Sequence, residues 1–257
     1  MRVLLPPSEA KRPGGRGRPL RRQPDGPLGA ARERALRALR ELVAADAGAA
    51  AAALLLPPGV ARDALAANAG VAEAPTMPAL RRYAGVVYDG LAWGTLTPAA
   101  QRVAARSALI FSGLLGVVRG DEPVPAYRVP AKAVLPGIGV VGTFWRPVLD
   151  DALPAMLGKG LVVDLRSSDY AAMWRPRGAL VERMLSVRVL SPVPRGGQGV
   201  VSYSSKLAKG QLFGALATRV ASGGSVATAE DVADAWLSAG GSHCEAGPPG
   251  QLIIYTG

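Results

Sequence analysis

The chain has 257 residues, 49% of them hydrophobic and 19% charged, and its 30 Lys and Arg against 19 Asp and Glu give a formal net charge of +11. That length and composition can bury a sizeable core as one large domain or two small ones, and exclude a disordered chain. One cysteine, Cys244, excludes an intramolecular disulfide and fits a reducing compartment, and the longest apolar stretch, Ala49 to Leu56, is too short to span a bilayer. The opening residues, with Pro6, Pro7, Glu9 and Lys11 after a short apolar run, do not resemble a signal peptide, so a cytoplasmic protein without a membrane partner is expected.

In chain order, Arg2 to Leu5 reads as a strand ended by two prolines, and Leu28 to Ala47 carries apolar residues at helical spacing. Ala61 to Ala69 is a short helix. Pro78 to Leu91 is broken by Gly85 and Gly90, and Thr97-Pro98 makes an N-cap and first-turn pair for a helix through Ala105, which together predict helix, glycine turn, helix. Leu109 to Ser112, Leu161 to Leu165, Val187 to Leu190, Val200 to Tyr203 and Leu252 to Tyr255 are β-branched or large apolar runs that predict strands. Helices are expected over Thr143 to Leu157, Lys206 to Ala221 and Ala229 to Ser238. The alternation predicts an α/β fold, a single domain over residues 1–257 with a flexible basic Gly/Pro/Arg-rich loop at 12–27.

The charge is unevenly spread: residues 1–40 hold eleven Arg and Lys against three acids, leaving only +3 for the rest. A basic arm of this kind either collects phosphate contacts without sequence preference or serves only solubility. Lysine is scarce, five against twenty-five arginines, yet Lys206 and Lys209 fall in one run, Ser202 to Gly210, which marks a candidate cleft where a compact ammonium is wanted.

Several chemistries are excluded. His243 is the chain's one histidine, so no zinc finger, multi-histidine metal site or cysteine cluster exists, and no metal or cofactor is expected. Gly137 to Gly142 spells G-x-G-x-x-G, with Asp164 downstream, but Pro130 and Pro136 precede it where a central parallel strand should lie. A glycine-rich turn entering a helix accounts for it.

Five segments place polar residues beside strand ends or glycine turns: Pro6 to Lys11, Gly85 to Leu91, Ser112 to Arg119 running on to Tyr127-Arg128, Asp164 to Tyr170, and Ser202 to Gly210. In α/β proteins such ends converge on one crevice. In order and spacing they resemble the YaaA-type peroxide-stress proteins. Pro6 to Lys11 matches the family's opening pattern, Tyr88, Gly90 and Leu91 its Tyr-x-Gly-Leu, and Phe144-Trp145 its Phe-Trp. Leu115 replaces a tyrosine, Asp164 an asparagine, Asp169 a glutamate, Leu207 a lysine and Lys209 an arginine.

The resemblance implies a single compact mixed-sheet domain of the YaaA type with surrounding helices, a helix-hairpin-helix-like element near Tyr83 to Ala105, and duplex DNA binding by a monomer that limits iron-dependent damage under hydrogen peroxide. Lys11, Gly85, Gly90, Arg119, Arg128, Lys206 and Lys209 are then the candidate nucleic-acid contacts. The competing class is an enzyme acting on a phosphorylated or nucleotide-like small molecule, with Lys206, Asp164, Ser167 and Asp169 as the catalytic candidates.

Overall fold

A computed structural model describes residues 1–20, 26, 28–192 and 197–256. Its strands are β1 (Arg2–Leu5), β2 (Met77–Pro78), β3 (Ala108–Ser112), β4 (Gly116–Arg119), β5 (Pro123–Val124), β6 (Val134–Leu135), β7 (Gly139–Val140), β8 (Val162–Asp164), β9 (Met184–Pro192), β10 (Gln198–Gly199), β11 (His243–Ala246) and β12 (Gln251–Tyr255). Its helices are α1 (Gly29–Ala45), α2 (Ala47–Ala53), α3 (Pro58–Ala69), α4 (Ala79–Arg82), α5 (Val86–Leu91), α6 (Pro98–Ser107), α7 (Val141–Leu157), α8 (Ser168–Ala171), α9 (Ser202–Ala221) and α10 (Ala229–Ser238). Together they form a compact α/β body around a mixed sheet.

The main sheet runs β11-β12-β9-β8-β1-β3-β4, with β10 beside β9. β1 lies parallel to both β3 and β8, while β4 and β11 close the ends antiparallel. A strand flanked on both sides by parallel partners is buried on both faces and reads as a continuous apolar run. Val3, Leu4 and Leu5 are accordingly fully buried. Pro6 and Pro7 then end the strand and turn the chain out over the sheet edge.

One of the expected elements differs. Val200 to Tyr203, expected as a strand, is the entry to α9, which begins at Ser202. The aromatic and β-branched content suggests pairing, but β10 ends at Gly199 and Ser205 N already donates to the Val201 carbonyl at 2.8 Å. The glycine-rich decoy follows a short two-stranded hairpin, β6 and β7, outside the main sheet, with Gly137 and Gly139 at φ of 68° and 70°. It is a turn entering α7. Thr97 caps α6 as expected, accepting from Ala100 N at 3.2 Å.

The first part of the basic segment is held against the body. Lys11 bridges to Tyr83 and Gly17 to Thr76 in antiparallel fashion. Arg82, 1% exposed, donates from its guanidinium to the carbonyls of Val124, Gly14 and Pro75 at 2.8–2.9 Å, and to that of Arg12. A planar five-donor fork can satisfy several backbone acceptors at once, which an ammonium cannot. Residues 21–25 and 27 of the expected loop lie outside the described residues.

Candidate functional site

The carboxyl ends of β1, β3 and β8 adjoin one another, and the loops that leave them build the candidate site. The first contributes Ser8, Glu9 and Lys11. Lys11 Nζ donates to the Ser8 carbonyl at 2.9 Å and sits over two tyrosine rings, 4.2 Å from the centre of Tyr127 and 5.3 Å from that of Tyr83. Burial lowers its pKa from 10.5 to about 7, against the pull of Glu9 and with help from Arg128 and Arg82. An amine so placed is available as a base or nucleophile near neutral pH.

Beneath it runs a chain of hydroxyls. Ser112 Oγ and Tyr127 Oη are 2.5 Å apart, Tyr127 and Tyr83 hydroxyls 2.7 Å apart, and Leu115 N donates to Ser112 Oγ at 2.9 Å. Tyr88 stacks on Tyr83 at 5.5 Å and donates to the Pro6 carbonyl at 2.8 Å. Burial raises Tyr127 to about 12 and pushes Tyr83, Tyr88 and Tyr170 above the ordinary tyrosine value. These hydroxyls stay protonated rather than carry charge.

On the Glu9 side, a cavity of about 230 Å³ is lined by Glu9, Arg128, Tyr170, Lys132, Asp169 and the apolar Leu54, Leu55, Pro57, Pro130 and Ala131. Arg128 Nε lies 3.5 Å from Glu9 Oε2, and Lys132 Nζ 2.8 Å from Asp169 Oδ1. Asn68, fully buried on α3, clamps the Arg128 backbone from both sides, donating to its carbonyl at 2.9 Å and accepting from its N–H at 2.8 Å.

The segment after β8 has a different character. Asp164 is held by Arg166 through two side-chain bonds of 2.9 and 2.7 Å, and also accepts from the Arg166 backbone N–H at 3.0 Å. Arg166 is 6% exposed, stacks over Phe111 at 4.4 Å, and donates to the Trp174 carbonyl at 2.9 Å. Lys209 Nζ donates to the Arg166 carbonyl at 3.0 Å, and burial lowers its pKa while Asp164 raises it. This arrangement ties α9 to the end of β8. Ser167 stands at the N-cap of α8 without a side-chain cap bond.

Of the residues singled out in the sequence, Lys11, Arg128 and Asp169 come together around Glu9 and Tyr170. Lys206 is exposed on α9. Arg119 lies opposite Leu109, three residues down β3 from Ser112, and pairs with Asp121 at 3.1 Å. Gly85, at φ 108°, seats against Ser8, where a Cβ would meet its Oγ at 2.9 Å. Gly90 and Gly210 let α5 and α9 touch backbone to backbone: a Cβ on Gly90 would lie 2.3 Å from the Leu207 carbonyl oxygen, and one on Gly210 2.0 Å from that of Val87. The Tyr88-x-Gly90-Leu91 and Lys209-Gly210 segments are therefore two halves of one helix contact. Asn68 was not singled out, Tyr83 only bounded the expected helical element, and Tyr170 entered only as the end of the Asp164 to Tyr170 motif, without a role. Four of the chain's six tyrosines gather here from segments far apart in the sequence, so their convergence is a property of the fold.

A second, open groove of about 700 Å³ lies between the basic segment and the turn after α5, lined by Arg12, Pro13, Met77, Arg81, Tyr88, Asp89, Ala92, Trp93, Gly94 and Thr95. Ala92 takes the left-handed conformation at φ 49°, uncommon for a residue with a Cβ. Among the described residues, no group of three or more His, Cys, Asp or Glu converges as a metal site, and no single helix is long and apolar enough to cross a membrane.

A parallel-centred mixed sheet carrying these motifs in register defines a family. A model of the family described as peroxide stress protein YaaA matches residues 1–235, and the chain belongs to it. A UPF0246 protein of Streptomyces coelicolor is 44% identical over 221 residues, covering 84% of this chain and 82% of that one. A UPF0246 protein of Corynebacterium efficiens is 40% identical over 248 residues, 93% of each chain, and one of Corynebacterium glutamicum 34% over 250 residues, again 93% of each.

Proposed function

We propose that this member of the peroxide stress family binds duplex DNA without sequence preference in the bacterial cytoplasm and thereby limits iron-dependent oxidative damage. The observation that carries the reading is the open groove lined by Arg12, Arg81 and Trp93. Both arginines are exposed and Trp93 is half-buried. Arginine beside an aromatic face suits a phosphate backbone and an adjoining base or sugar, and the net charge of +11 steers a polyanion toward the body. Asp89, also in the lining, is the acid that a backbone phosphate would have to avoid.

The groove is built on α4, α5 and the turn through Gly94, within or beside the Tyr83 to Ala105 region of the expected element, but Gly85 and Gly90, the glycines expected to form its turn, pack against Ser8 and α9 instead. Not every early arginine takes part. Arg32 donates to Glu122 at 2.6 Å and to the carbonyls of Leu115 and Val117 at 3.0 and 2.7 Å, so its charge is committed to the fold. The charge count of the first forty residues therefore overstates what a phosphate meets.

The enzymatic reading centred on Lys206 has less support, because Lys206 is exposed and Asp164 is already bound by Arg166. Survival of peroxide-treated cells separates the two. Cells carrying Arg12→Ala with Arg81→Ala should lose protection, while Lys206→Arg should keep it. Loss of protection by Lys206→Arg with the double variant intact would favour catalysis at Lys206.

A further inference from the structure

Three places outside the groove carry unused chemistry: the Lys11 amine over its tyrosines, the Asp164–Arg166–Lys209 lock, and the cavity beside Glu9. The lock is saturated by its own hydrogen bonds. The cavity is not. Tyr170 lines it, is 8% exposed, and among the described residues its hydroxyl makes no well-formed hydrogen bond, only a loose interaction with the Ala131 backbone. A buried hydroxyl with so poor a partner is underused, and a native fold keeps one chiefly where something else completes it.

We propose that this cavity binds one planar, hydrogen-bonding heterocycle of nucleobase size, with Glu9, Arg128 and Tyr170 reading its edge. At about 230 Å³ it falls just below the ~300–1,000 Å³ of sites for drug-sized ligands, so it admits a ring system and leaves any sugar outside. Its walls are Leu54, Leu55, Pro57 and Pro130, apolar surfaces suited to the two faces of a flat ring. Its polar side sets an acceptor, the Glu9 carboxylate, beside donors from Arg128 and Tyr170. A nucleobase edge presents neighbouring donors and acceptors in the same way.

Two further features fit an occupied site. Arg128 meets Glu9 at 3.5 Å, a loose pair that leaves both groups with capacity for a ligand, while Asn68 fixes the Arg128 backbone. Leu55 on the wall sits at φ 53°, a strained conformation for a branched side chain, of the kind that collects at ligand sites. A small polar zwitterion such as free glutamine would satisfy Glu9 and Arg128 but gain little from four apolar walls. The inference does not depend on duplex binding, and the heterocycle can be a free nucleoside or a base presented by a strand.

Calorimetric titration of the full chain tests it, using adenosine, guanosine, cytidine and thymidine, single-stranded tetramers of each base, and L-glutamine and inorganic phosphate as the contrasting ligands. The expected result is saturable binding of at least one nucleoside or tetramer, weakened about tenfold or more by Tyr170→Phe and by Glu9→Gln and unchanged by Arg81→Ala. Binding by nucleoside identifies a free ligand, and binding by tetramer alone a strand-borne base. Tyr170→Phe removes a hydroxyl held only loosely by the Ala131 backbone, so its Tm should stay within about 2–4 °C of the parent, which separates lost binding from lost folding. Binding of glutamine or phosphate only, binding of none of the probes, or nucleoside binding indifferent to Tyr170→Phe overturns the proposal. Loss of duplex binding with nucleoside binding kept counts against the duplex reading alone.

Discussion

The Lys11 ammonium stands 4.2 Å above the Tyr127 ring, and its nitrogen donates to the Ser8 carbonyl rather than to the carboxylate of Glu9 two residues away. Ring faces favour a cation by only about 0.5–2 kcal/mol, less than burial takes away, and the pKa falls from 10.5 to about 7. Amine-selective labelling read by mass spectrometry should modify Lys11 half-maximally near pH 7, well below the ordinary value of 10.5 for a free lysine amine. Half-maximal labelling of Lys11 near 10.5 would contradict this account of the site.

The same shift fixes a pH dependence of stability. The folded-state pKa lies below the unfolded value, so between about 7 and 10.5 the unfolded chain holds the extra proton. This contribution is unfavourable below about pH 7 and is relieved as pH rises through that window. Urea midpoints should therefore rise between pH 7 and 9, relative to Lys11→Met, whose profile lacks this slope. Parallel profiles would remove Lys11 as the cause.

Gly90→Ala and Gly210→Ala force a Cβ into the facing backbone carbonyl, at 2.3 and 2.0 Å. Overpacking of this kind costs about 1–3 kcal/mol or more, since backbone cannot move aside as a side chain can. Denaturant unfolding should show that loss for each variant, whereas Gly137→Ala, with open space around it but φ 68°, should lose less. If the two helix-contact variants were as stable as the parent, the close approach of α5 and α9 would be wrong.

Asp164→Asn breaks a pair whose Arg166 side chain is 2% exposed. Leaving a buried guanidinium without its carboxylate typically costs about 3–5 kcal/mol. Thermal unfolding should register that loss together with any change in function. A variant of unchanged Tm that nonetheless lost function would return Asp164 to a chemical role.

Much of the scaffold was legible from sequence because central parallel strands are unbroken apolar runs: Val3 to Leu5, Leu109 to Phe111 and Val162-Val163 announce themselves. The helix start at Ser202 was not, because Val200-Val201 and Tyr203 have strand-like side chains and only β10 ending at Gly199 decides otherwise. Lys11 and Arg128 were found through motifs, yet what surrounds them was hidden. Asn68, Tyr83 and Tyr170 come from α3, the turn before Gly85 and α8, and only the fold brings those distant segments to the end of β1. Lys206 looked distinctive because lysine is rare here, but rarity does not report burial. Its neighbour Lys209, one helical turn on, is the one that faces Arg166.

The central claim is duplex binding through the groove of Arg12 and Arg81, and the salt dependence of affinity tests it most directly. Fluorescence anisotropy of the full chain with two duplexes of unrelated sequence should give equal affinities that fall steeply with salt. Arg12→Ala and Arg81→Ala should each weaken both duplexes alike and reduce the logarithmic salt slope by about 1. Unaltered slopes and affinities in both variants, with the fold intact, would contradict the account.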